Sequence, residues 1–388
     1  MDKVLETRPS GSLQETVTIL GGFMKFVLGF LTPFIAYAVI TLLHVILPVR
    51  KIKGYVKHES TGELLNYRIN GIFVLLTSVI IWFLLGRFDI VPYDWFYQVR
   101  WPSLAGAIVI GLVFSFTLVL KAPSTGKPFL ADFWFGRIIN PQVGNGFIDA
   151  KMWLYLIGAV MLQIHVLSFT AHHWFTHETV NPGVILGAAM STWFCCEYLI
   201  FEKVHLYTYD IFAERVGFKL GWGCLSFYPY FYAIPLWITV NEKNPNLPFW
   251  LLIVFALFFL IGWVFTRGAN LQKYFFKIAP EKKFLCMKPE TISDGKHTLL
   301  VSGYWGASRH INYLGEILQA CAISLVAFVY GASVGYPLIL GVWLYPVYYL
   351  GLLITRQIDD DVICKAKYGD LWDVYKKKVK WRIVPYIF

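Results

Sequence analysis

The chain has 388 residues and is 57% hydrophobic and 18% aromatic, with only 15% charged residues. Soluble domains carry roughly 25% charged residues, so this composition excludes an ordinary soluble protein and indicates an integral membrane protein. The formal net charge is +10. Because the basic residues cluster beside apolar stretches, orientation in the membrane and contact with anionic lipid explain this charge, and we predict no nucleic-acid partner.

Apolar runs long enough to cross a hydrocarbon core of about 30 Å recur along the chain. The first continues into the basic sequence PVRKIK and is too long for a cleaved signal peptide, so we expect it to remain as a span. Further runs lie near residues 69–86, 101–120, 152–170, 183–201, 224–240, 248–266, 317–332 and 334–355. This pattern predicts an all-α, polytopic helical membrane protein with about nine to ten spans.

The distribution of charge predicts how the chain is organised. Residues 1–18 form a short polar segment, and residues 19–388 are predicted to form one membrane domain. Lys and Arg concentrate in residues 50–68, 121–151, 267–309 and 356–382. Loops of this kind tend to stay cytoplasmic. Because aromatic residues interleave with the charges after residue 356, we expect residues 267–315 and the C-terminus to form a folded cytoplasmic-side lobe.

A polar cluster stands at the start of one of the last two spans. It consists of Arg309, His310, Asn312 and Tyr313, whereas Arg356 lies where the other span ends. A helical hairpin would bring the two groups together. Asn312 would be costly facing lipid but is a useful donor and acceptor for a carboxamide or ribose.

The closing segment offers further cations and flat rings. Lys365, Lys367, Lys376 and Lys378 stand among Tyr368 and Tyr375. Phosphates and a stacked ring could be held by such residues. Anchoring of the last span by positive charge is the alternative interpretation of the same residues.

Histidines and cysteines give little sign of a metal site. His165, His172, His173 and His177 resemble part of the histidine boxes of membrane di-iron enzymes, but the remaining histidines form no further paired boxes. We therefore interpret this group as belonging to a loop and expect no metal. The six cysteines lack metal-type spacing and indicate neither a zinc site nor a disulfide framework.

Acidic residues occur in or beside apolar sequence, where they must face a cavity or a partner. They are Glu197, Glu202, Asp210 and Glu214. The aromatic run FYPYFYAIPLW follows them and contains Tyr232. An interfacial belt is the alternative explanation for any single tyrosine of this run.

Two motifs in the C-terminal part carry a resemblance to a known family. LLVSGYWGASRHINYLGE at residues 299–316 and RQIDDDVICKAKYGDLWDVYKKKVKWRIVPYIF at residues 356–388 closely match two signatures of the sterol reductases. Weaker matches are NYRINGI near residue 66, WFGRIINP at 134–141 and ANLQK at 269–273. The chain thus resembles the family that includes the delta-14 reductases and the reductase domain of the lamin B receptor.

The resemblance implies NADPH-dependent reduction of a sterol double bond, most closely of the delta-14 type, in membrane lipid. It assigns the lobe of residues 267–388 to NADPH. The residues expected to contact this cofactor or support its site are Lys273, Arg309, His310, Asn312, Tyr313, Arg356, Asp360, Lys367, Tyr368 and Tyr375. The implied location is the endoplasmic reticulum membrane in a eukaryote or the inner membrane in a bacterium, with the cofactor site facing the cytosol.

The chemistry of alkene reduction suggests where a proton donor should lie. An isolated alkene is not polarised, so an acid must protonate one carbon before hydride can add to the other. Tyr232 is the preferred donor or relay, with Asp210 and Glu214 as supporting candidates. Many ring reductases of the family have Gly-Asp where this chain has Gly223 and Cys224, which leaves the reduced bond open among delta-14, delta-7, delta-24 and delta-24(28).

Two other functions are compatible with parts of the sequence. Membrane methyltransferases of the isoprenylcysteine type share a similar opening and tail but use S-adenosylmethionine, and they lack the 134–141 and 205–235 segments. A non-enzymatic sterol sensor or scaffold is the second alternative, although only about 18 polar residues precede the first span. The oligomeric state stays open, as does the side of the amino-terminus: nine spans place it outside, whereas ten-span relatives are expected to place it in the cytosol.

Overall fold

The computed structural model describes residues 11–58 and 61–388. The described part of the chain is mainly helical. In chain order, the helices are α1 (Gly11–Ile46), α2 (Gly71–Arg87), α3 (Trp95–Gln98), α4 (Arg100–Lys121), α5 (Phe129–Phe135), α6 (Ala150–Thr176), α7 (Pro182–Ile200), α8 (Glu202–His205), α9 (Tyr209–Phe212), α10 (Phe218–Trp222), α11 (Tyr228–Phe231), α12 (Ile234–Thr239), α13 (Phe249–Ile278), α14 (Tyr304–Ala307), α15 (Ile311–Tyr330), α16 (Leu344–Tyr368) and α17 (Asp370–Lys378).

Seven helices in the described residues are long and apolar enough to cross a membrane. They are α1, α4, α6, α7, α13, α15 and α16, the last extended by a 3-10 turn that begins at Leu338. The apolar helix α2 is shorter. The predicted fold class, a polytopic helical membrane protein, is confirmed. The count of nine to ten spans stays a prediction, and residues 1–10 of the predicted polar segment lie outside the described residues.

The apolar run near 224–240 is broken into short pieces. Helix α10 leads into a π-helical turn, Gly223–Phe227, which is followed by α11 and α12. Pro229 and Pro235 stand at the starts of α11 and α12. Proline lacks an N–H donor and is tolerated in a first helical turn but not in a helix interior. This segment therefore forms a wall of successive turns rather than one long helix.

Apolar side chains on the outside of the long helices fit a lipid environment. Helix α13 exposes Phe249, Trp250, Leu257 and Leu260. In water, an exposed patch of this size would promote association. The exposed face is therefore consistent with a helix that contacts lipid, whereas α6 is largely buried among the other helices.

Close packing of α13 on α15 positions the C-terminal part of the chain. A Cβ on Gly262 would lie 2.8 Å from the carbonyl oxygen of Gly315, and one on Gly315 would overlap Thr266. Glycine at both positions lets the two backbones approach. Thr266 Oγ1 also donates to the carbonyl oxygen of Asn312 at 3.1 Å, which fixes the first turn of α15 against α13.

In the described part of the chain, three antiparallel hairpins lie between the helices. They are β1 (Lys51–Lys57) with β2 (Leu64–Arg68), β3 (Gln142–Val143) with β4 (Ile148–Asp149), and β5 (Thr291–Ser293) with β6 (Thr298–Leu300). The third hairpin leads directly into the 302–310 loop. It packs beside α17 over a small core of Val301, Trp372, Tyr375 and Val379.

The end of the chain folds back onto the loop before α15. Arg309 N donates to the Trp381 carbonyl oxygen at 3.0 Å, and His310 N donates to that of Arg382 at 2.9 Å. Ser308 Oγ also bonds the Ile383 carbonyl oxygen at 2.8 Å. These bonds join the 267–315 segment to the C-terminus in one packed unit. The division of the chain into one domain with an NADPH-binding lobe stays a prediction.

Candidate active site

The main cavity, of ≈ 370 Å³, lies where α13, α15 and α16 meet the short helices between residues 202 and 232. Every residue that the sequence predicts for the site lines this cavity. These are Asp210, Glu214, Tyr232, Lys273, Arg309, His310, Asn312, Tyr313, Arg356, Asp360, Lys367, Tyr368 and Tyr375. Residues far apart in the sequence thus share one space, although the cavity alone assigns no role to any of them.

The end of α13 holds the loop that precedes α15. Gln272 Oε1 accepts from Tyr304 N at 3.0 Å, and Gln272 Nε2 donates to the Ser302 carbonyl oxygen at 3.3 Å. Trp305 Nε1 donates to the Ala269 carbonyl oxygen at 2.8 Å. The ANLQK and GYW motifs are therefore parts of one scaffold, which carries Arg309 and His310 to the cavity.

Arg309 and His310 are both buried at the cavity wall. Arg309 Nη2 lies 3.8 Å from Asp361 Oδ2, while its Nε has no hydrogen-bond partner. Burial, with the nearby charges of Arg309 and Lys273, lowers the pKa of His310 to about 3. His310 is therefore neutral at physiological pH, and its Nε2 is also buried without a partner among the described residues.

The first turn of α15 meets α16 across the cavity. Tyr313 donates to Asp360 Oδ2 at 2.7 Å, and the His310 ring stacks on Tyr313 with centroids 4.8 Å apart. Asn312 Oδ1, on the same turn, is buried without a partner in the described part of the chain. A buried acceptor left unpaired costs free energy, so this atom is suited to a ligand donor.

Arg356 stands at the centre of an ion-pair network. Its Nη2 lies 2.7 Å from Asp210 Oδ1 and 3.6 Å from Glu214 Oε2, and Glu214 Oε1 lies 3.0 Å from Lys219 Nζ. The Arg356 guanidinium also lies over the ring of Tyr209 at 5.3 Å. The structure thus couples the two predicted catalytic acids to a predicted cofactor residue.

Lysines at the outer part of the cavity face aromatic rings. Lys273 Nζ lies 5.2 Å from the ring centre of Trp305, and Lys367 Nζ lies 5.1 Å from that of Tyr368. Neither forms an ion pair within residues 11–58 and 61–388. Tyr375 donates to the Trp305 carbonyl oxygen at 3.2 Å, and burial raises its pKa.

Tyr232 belongs to an aromatic wall at the inner end of the cavity. Its ring centre lies 4.4 Å from that of Tyr345, 4.8 Å from that of Tyr228 and 5.4 Å from that of Tyr349. Cys224 is buried in the same wall. The inner end is therefore mainly aromatic, whereas the outer end carries most of the cations.

Some groups that line the cavity were not predicted as site residues. Glu197, which the sequence predicted to face a cavity or a partner, lines the cavity and forms a buried ion pair with Arg267, with Oε2 and Nη2 2.5 Å apart. Glu316 also lines the cavity, as do Tyr345's neighbours Tyr348 and Tyr349. The sequence signal for Glu316 was its place at the end of the 299–316 motif, one helical turn after Asn312.

A second, more polar cavity of ≈ 490 Å³ adjoins the first and shares Lys277, Lys367 and Tyr368 with it. Lys296 and His297, from the β5–β6 hairpin, also line this outer cavity. Lys277, Lys296 and Lys367 form no ion pair within the described residues. Glu281 is the one carboxylate among the described residues that line this cavity, so the three lysines leave it with an excess of positive charge that favours an anion.

The interpretation of the histidine group as part of a loop is wrong, because His165, His172 and His173 lie on α6 and His177 caps its end. The group has structural partners. His165 Nδ1 lies 2.9 Å from the Pro229 carbonyl oxygen, and His173 bridges the Val240 carbonyl oxygen and Asn181 N. His172 stacks on Tyr97 with centroids 3.7 Å apart. The described residues contain no group of three or more His, Cys, Asp or Glu side chains that could hold a metal ion.

Comparisons with known proteins identify the family. The model of the ergosterol biosynthesis ERG4/ERG24 family matches residues 23–388. A delta(14)-sterol reductase of Arabidopsis thaliana is 32% identical over 358 residues, covering 88% of this chain and 91% of that protein. One of Methylotuvimicrobium alcaliphilum is 32% identical over 337 residues, covering 84% and 76%, and one of Saccharomyces cerevisiae is 28% identical over 385 residues, covering 91% and 82%. The chain therefore belongs to the ERG4/ERG24 family, as the two C-terminal motifs predicted.

Proposed function

We propose that the protein is an NADPH-dependent sterol reductase that reduces a carbon-carbon double bond, most closely of the delta-14 type. The relatives described above are named delta(14)-sterol reductases and align with most of the chain. The observation that carries the proposal is the cavity of ≈ 370 Å³, which joins a cationic outer end to an aromatic inner end.

The outer end offers the groups that NADPH requires. Arg309 Nε, His310 Nε2, Asn312 Oδ1 and Arg356 Nε are buried without hydrogen-bond partners among the described residues. Such atoms are costly to leave unpaired. The arginine N–H groups are suited to phosphate and ribose oxygens, whereas Asn312 Oδ1 can accept from a ribose hydroxyl or a carboxamide N–H. Lys273 and Lys367 would balance the phosphate charge. When bound in this cavity, NADPH supplies the hydride for the reduction.

The inner end offers a dry wall for the sterol and a proton donor. Tyr232 and Tyr349 line this end of the cavity and Tyr345 packs against both rings, so that their aromatic surface can orient an apolar ring system. Their π-faces stabilise the carbocation that forms when an alkene carbon is protonated. Asp210 and Glu214 are ion-paired to Arg356 and Lys219, so we assign them to holding Arg356, with Tyr232 as donor or relay.

The protein is an integral membrane protein, and we propose that the cofactor lobe faces the cytosol. Lys and Arg dominate residues 267–309 and 356–382, in agreement with the cytoplasmic preference of basic loops. The membrane is then the endoplasmic reticulum membrane in a eukaryote or the inner membrane in a bacterium.

The two alternatives account for less of the chain. An isoprenylcysteine-type methyltransferase would use the C-terminal lobe alone, whereas the family match extends over residues 23–388. A sterol sensor without activity would not need the unpaired polar atoms of the outer end, because these face the cofactor part of the cavity.

The test is sterol conversion by the purified protein in lipid nanodiscs. Gas chromatography should show NADPH-dependent reduction of a delta-14 sterol and little reduction of delta-7, delta-24 or delta-24(28) substrates. Tight S-adenosylmethionine binding without sterol conversion would favour the methyltransferase. Sterol binding without conversion by any nucleotide would favour the sensor.

A further inference from the structure

We propose that Glu316 supplies the proton for alkene reduction, acting through the tyrosines around Tyr232. The proposal rests on the proposed reductase function. Glu316 lies on α15, one turn after Asn312, and lines the main cavity. It thus lies between the proposed cofactor residues at the start of α15 and the aromatic wall on α16.

Elimination among the acids of the cavity points to this residue. Five carboxylates line the cavity, namely Glu197, Asp210, Glu214, Glu316 and Asp360. Glu197 is paired with Arg267, Asp210 with Arg356, and Glu214 with Lys219. Asp360 accepts a hydrogen bond from Tyr313. Of the described acids in the cavity, Glu316 is the one without an ion pair or a hydrogen bond.

Pairing decides which acid can carry a proton. A carboxylate beside a cation is stabilised in its ionised form, whereas one buried without a cation favours the neutral acid. Arg267 and Arg356, which also line the cavity, are joined to Glu197 and Asp210 in two ion pairs. Within the described residues, no cation lies within ion-pair distance of Glu316.

Tyrosines connect Glu316 with the sterol wall. Glu316 lines the cavity together with Tyr349 and Tyr232, and the Tyr232 ring centre lies 5.4 Å from that of Tyr349 on α16. Tyr345, one turn before Tyr349, lies 4.4 Å from Tyr232 and 5.1 Å from Tyr349 by the same measure. The proposed relay from Glu316 to Tyr232 runs through these neighbouring tyrosines.

The step balances. The Tyr232 hydroxyl gives its proton to one alkene carbon. Tyr232 then regains a proton from the Glu316 carboxyl through the neighbouring tyrosines, and Glu316 becomes a carboxylate. The other alkene carbon becomes a cation and receives the hydride that the proposed function supplies. Glu316 is then reprotonated from solvent. The net change is addition of one proton and one hydride across the double bond.

Single-turnover kinetics of the full-length protein in nanodiscs test the proposal. Glu316→Gln should bind NADPH with parental affinity but reduce the sterol at least about 100-fold more slowly, the usual scale for loss of an acid. Glu316→Asp should retain part of the rate. Glu290→Gln is the matched control, because Glu290 is exposed and lines neither cavity.

Chemical rescue separates proton supply from a structural role. Formate should accelerate Glu316→Ala, in proportion to its protonated fraction as pH is varied, because a small acid can enter the space left by the side chain. Parental turnover in Glu316→Gln would overturn the proposal. A slow Glu316→Ala that binds NADPH normally and ignores formate would also overturn it. Absence of sterol reduction by the unmodified protein would instead refute the proposed function.

Discussion

Arg356 and Asp210 form an ion pair, with 2.7 Å between Nη2 and Oδ1, that connects α16 with α9. Glu214 lies on the same guanidinium and is itself paired with Lys219. All four residues line the cavity. A change at any of them therefore alters the charge within the cavity.

Arg356→Gln should weaken NADPH binding by about ten- to a hundredfold. Loss of a charge-assisted contact typically removes about 1.5 to 3 kcal/mol, and the change also leaves Asp210 without its cation. Fluorescence titration with NADPH measures the dissociation constant. Arg215→Gln is the control. Arg215 follows Glu214 in the sequence, but it is exposed and lines neither cavity. An unchanged NADPH affinity in Arg356→Gln would contradict the cofactor assignment.

Selectivity for NADPH over NADH should depend on the outer cavity. Lys277 and Lys296 line it without ion pairs, and a ribose phosphate is the group that distinguishes the two cofactors. The double variant Lys277→Gln, Lys296→Gln should bind NADPH about tenfold or more weakly and NADH as before. Lys288→Gln, an exposed neighbour outside both cavities, should change neither affinity. An equal loss of NADH affinity would show that these lysines contact a part of the cofactor that NADH and NADPH share.

The C-terminal fold-back should be required for stability of the lobe. Ile383 is 2% exposed and packs with Tyr313 and Leu353, whereas Ile387 is 80% exposed. Ile383→Ala should destabilise the protein by about 2 to 5 kcal/mol, and Ile387→Ala should fall within about 0.5 kcal/mol of the parent. Thermal unfolding in detergent compares them. Equal melting temperatures would show that the fold-back is dispensable.

Much of the site could be predicted from the sequence, because one group of its residues stands at the start of an apolar span and the other group stands at the end of the next span. A hairpin of the last two spans predicts that Tyr313 approaches the end of α16. In the structure, the Tyr313 hydroxyl lies 2.7 Å from Asp360 Oδ2. Lys273 was predicted to belong to the site from the family resemblance alone, because its place at the cavity depends on the packing of α13 against α15. Sequence could not predict the unpaired state of Glu316, since pairing depends on which cations the tertiary fold brings close. The outer cavity also escaped prediction, because the β5–β6 hairpin that forms it is short and polar.

Stability should depend on pH through Glu202. This buried carboxylate accepts from Gly71 N at 2.9 Å, and burial raises its pKa to about 8. The folded state therefore binds a proton between about pH 4.5 and 8 that the unfolded chain releases, so stability falls as pH rises through this range. Glu202→Gln keeps an acceptor for Gly71 N without the charge. Its melting temperature should exceed that of the parent by more at pH 8 than at pH 6.

A pH-independent difference between Glu202→Gln and the parent would refute this account of Glu202. Glu63→Gln is a suitable control, because Glu63 is exposed on the chain between β1 and β2. Its melting temperature should follow that of the parent at both pH values.

Tyr232→Phe should preserve sterol and NADPH binding but lower turnover by about a hundredfold or more, the usual effect of losing a general acid or an obligatory relay. The change removes one hydroxyl and leaves the ring, so its contacts with Tyr228 and Tyr345 remain. In deuterated water, the parent should place solvent deuterium on one carbon of the reduced bond and the NADPH hydride on the other. Tyr230→Phe is the matched control, because Tyr230 bonds Ser103 and does not line the cavity. Parental turnover in Tyr232→Phe would move the donor to Tyr345 or Tyr349, and reduction without solvent label would exclude protonation of the alkene.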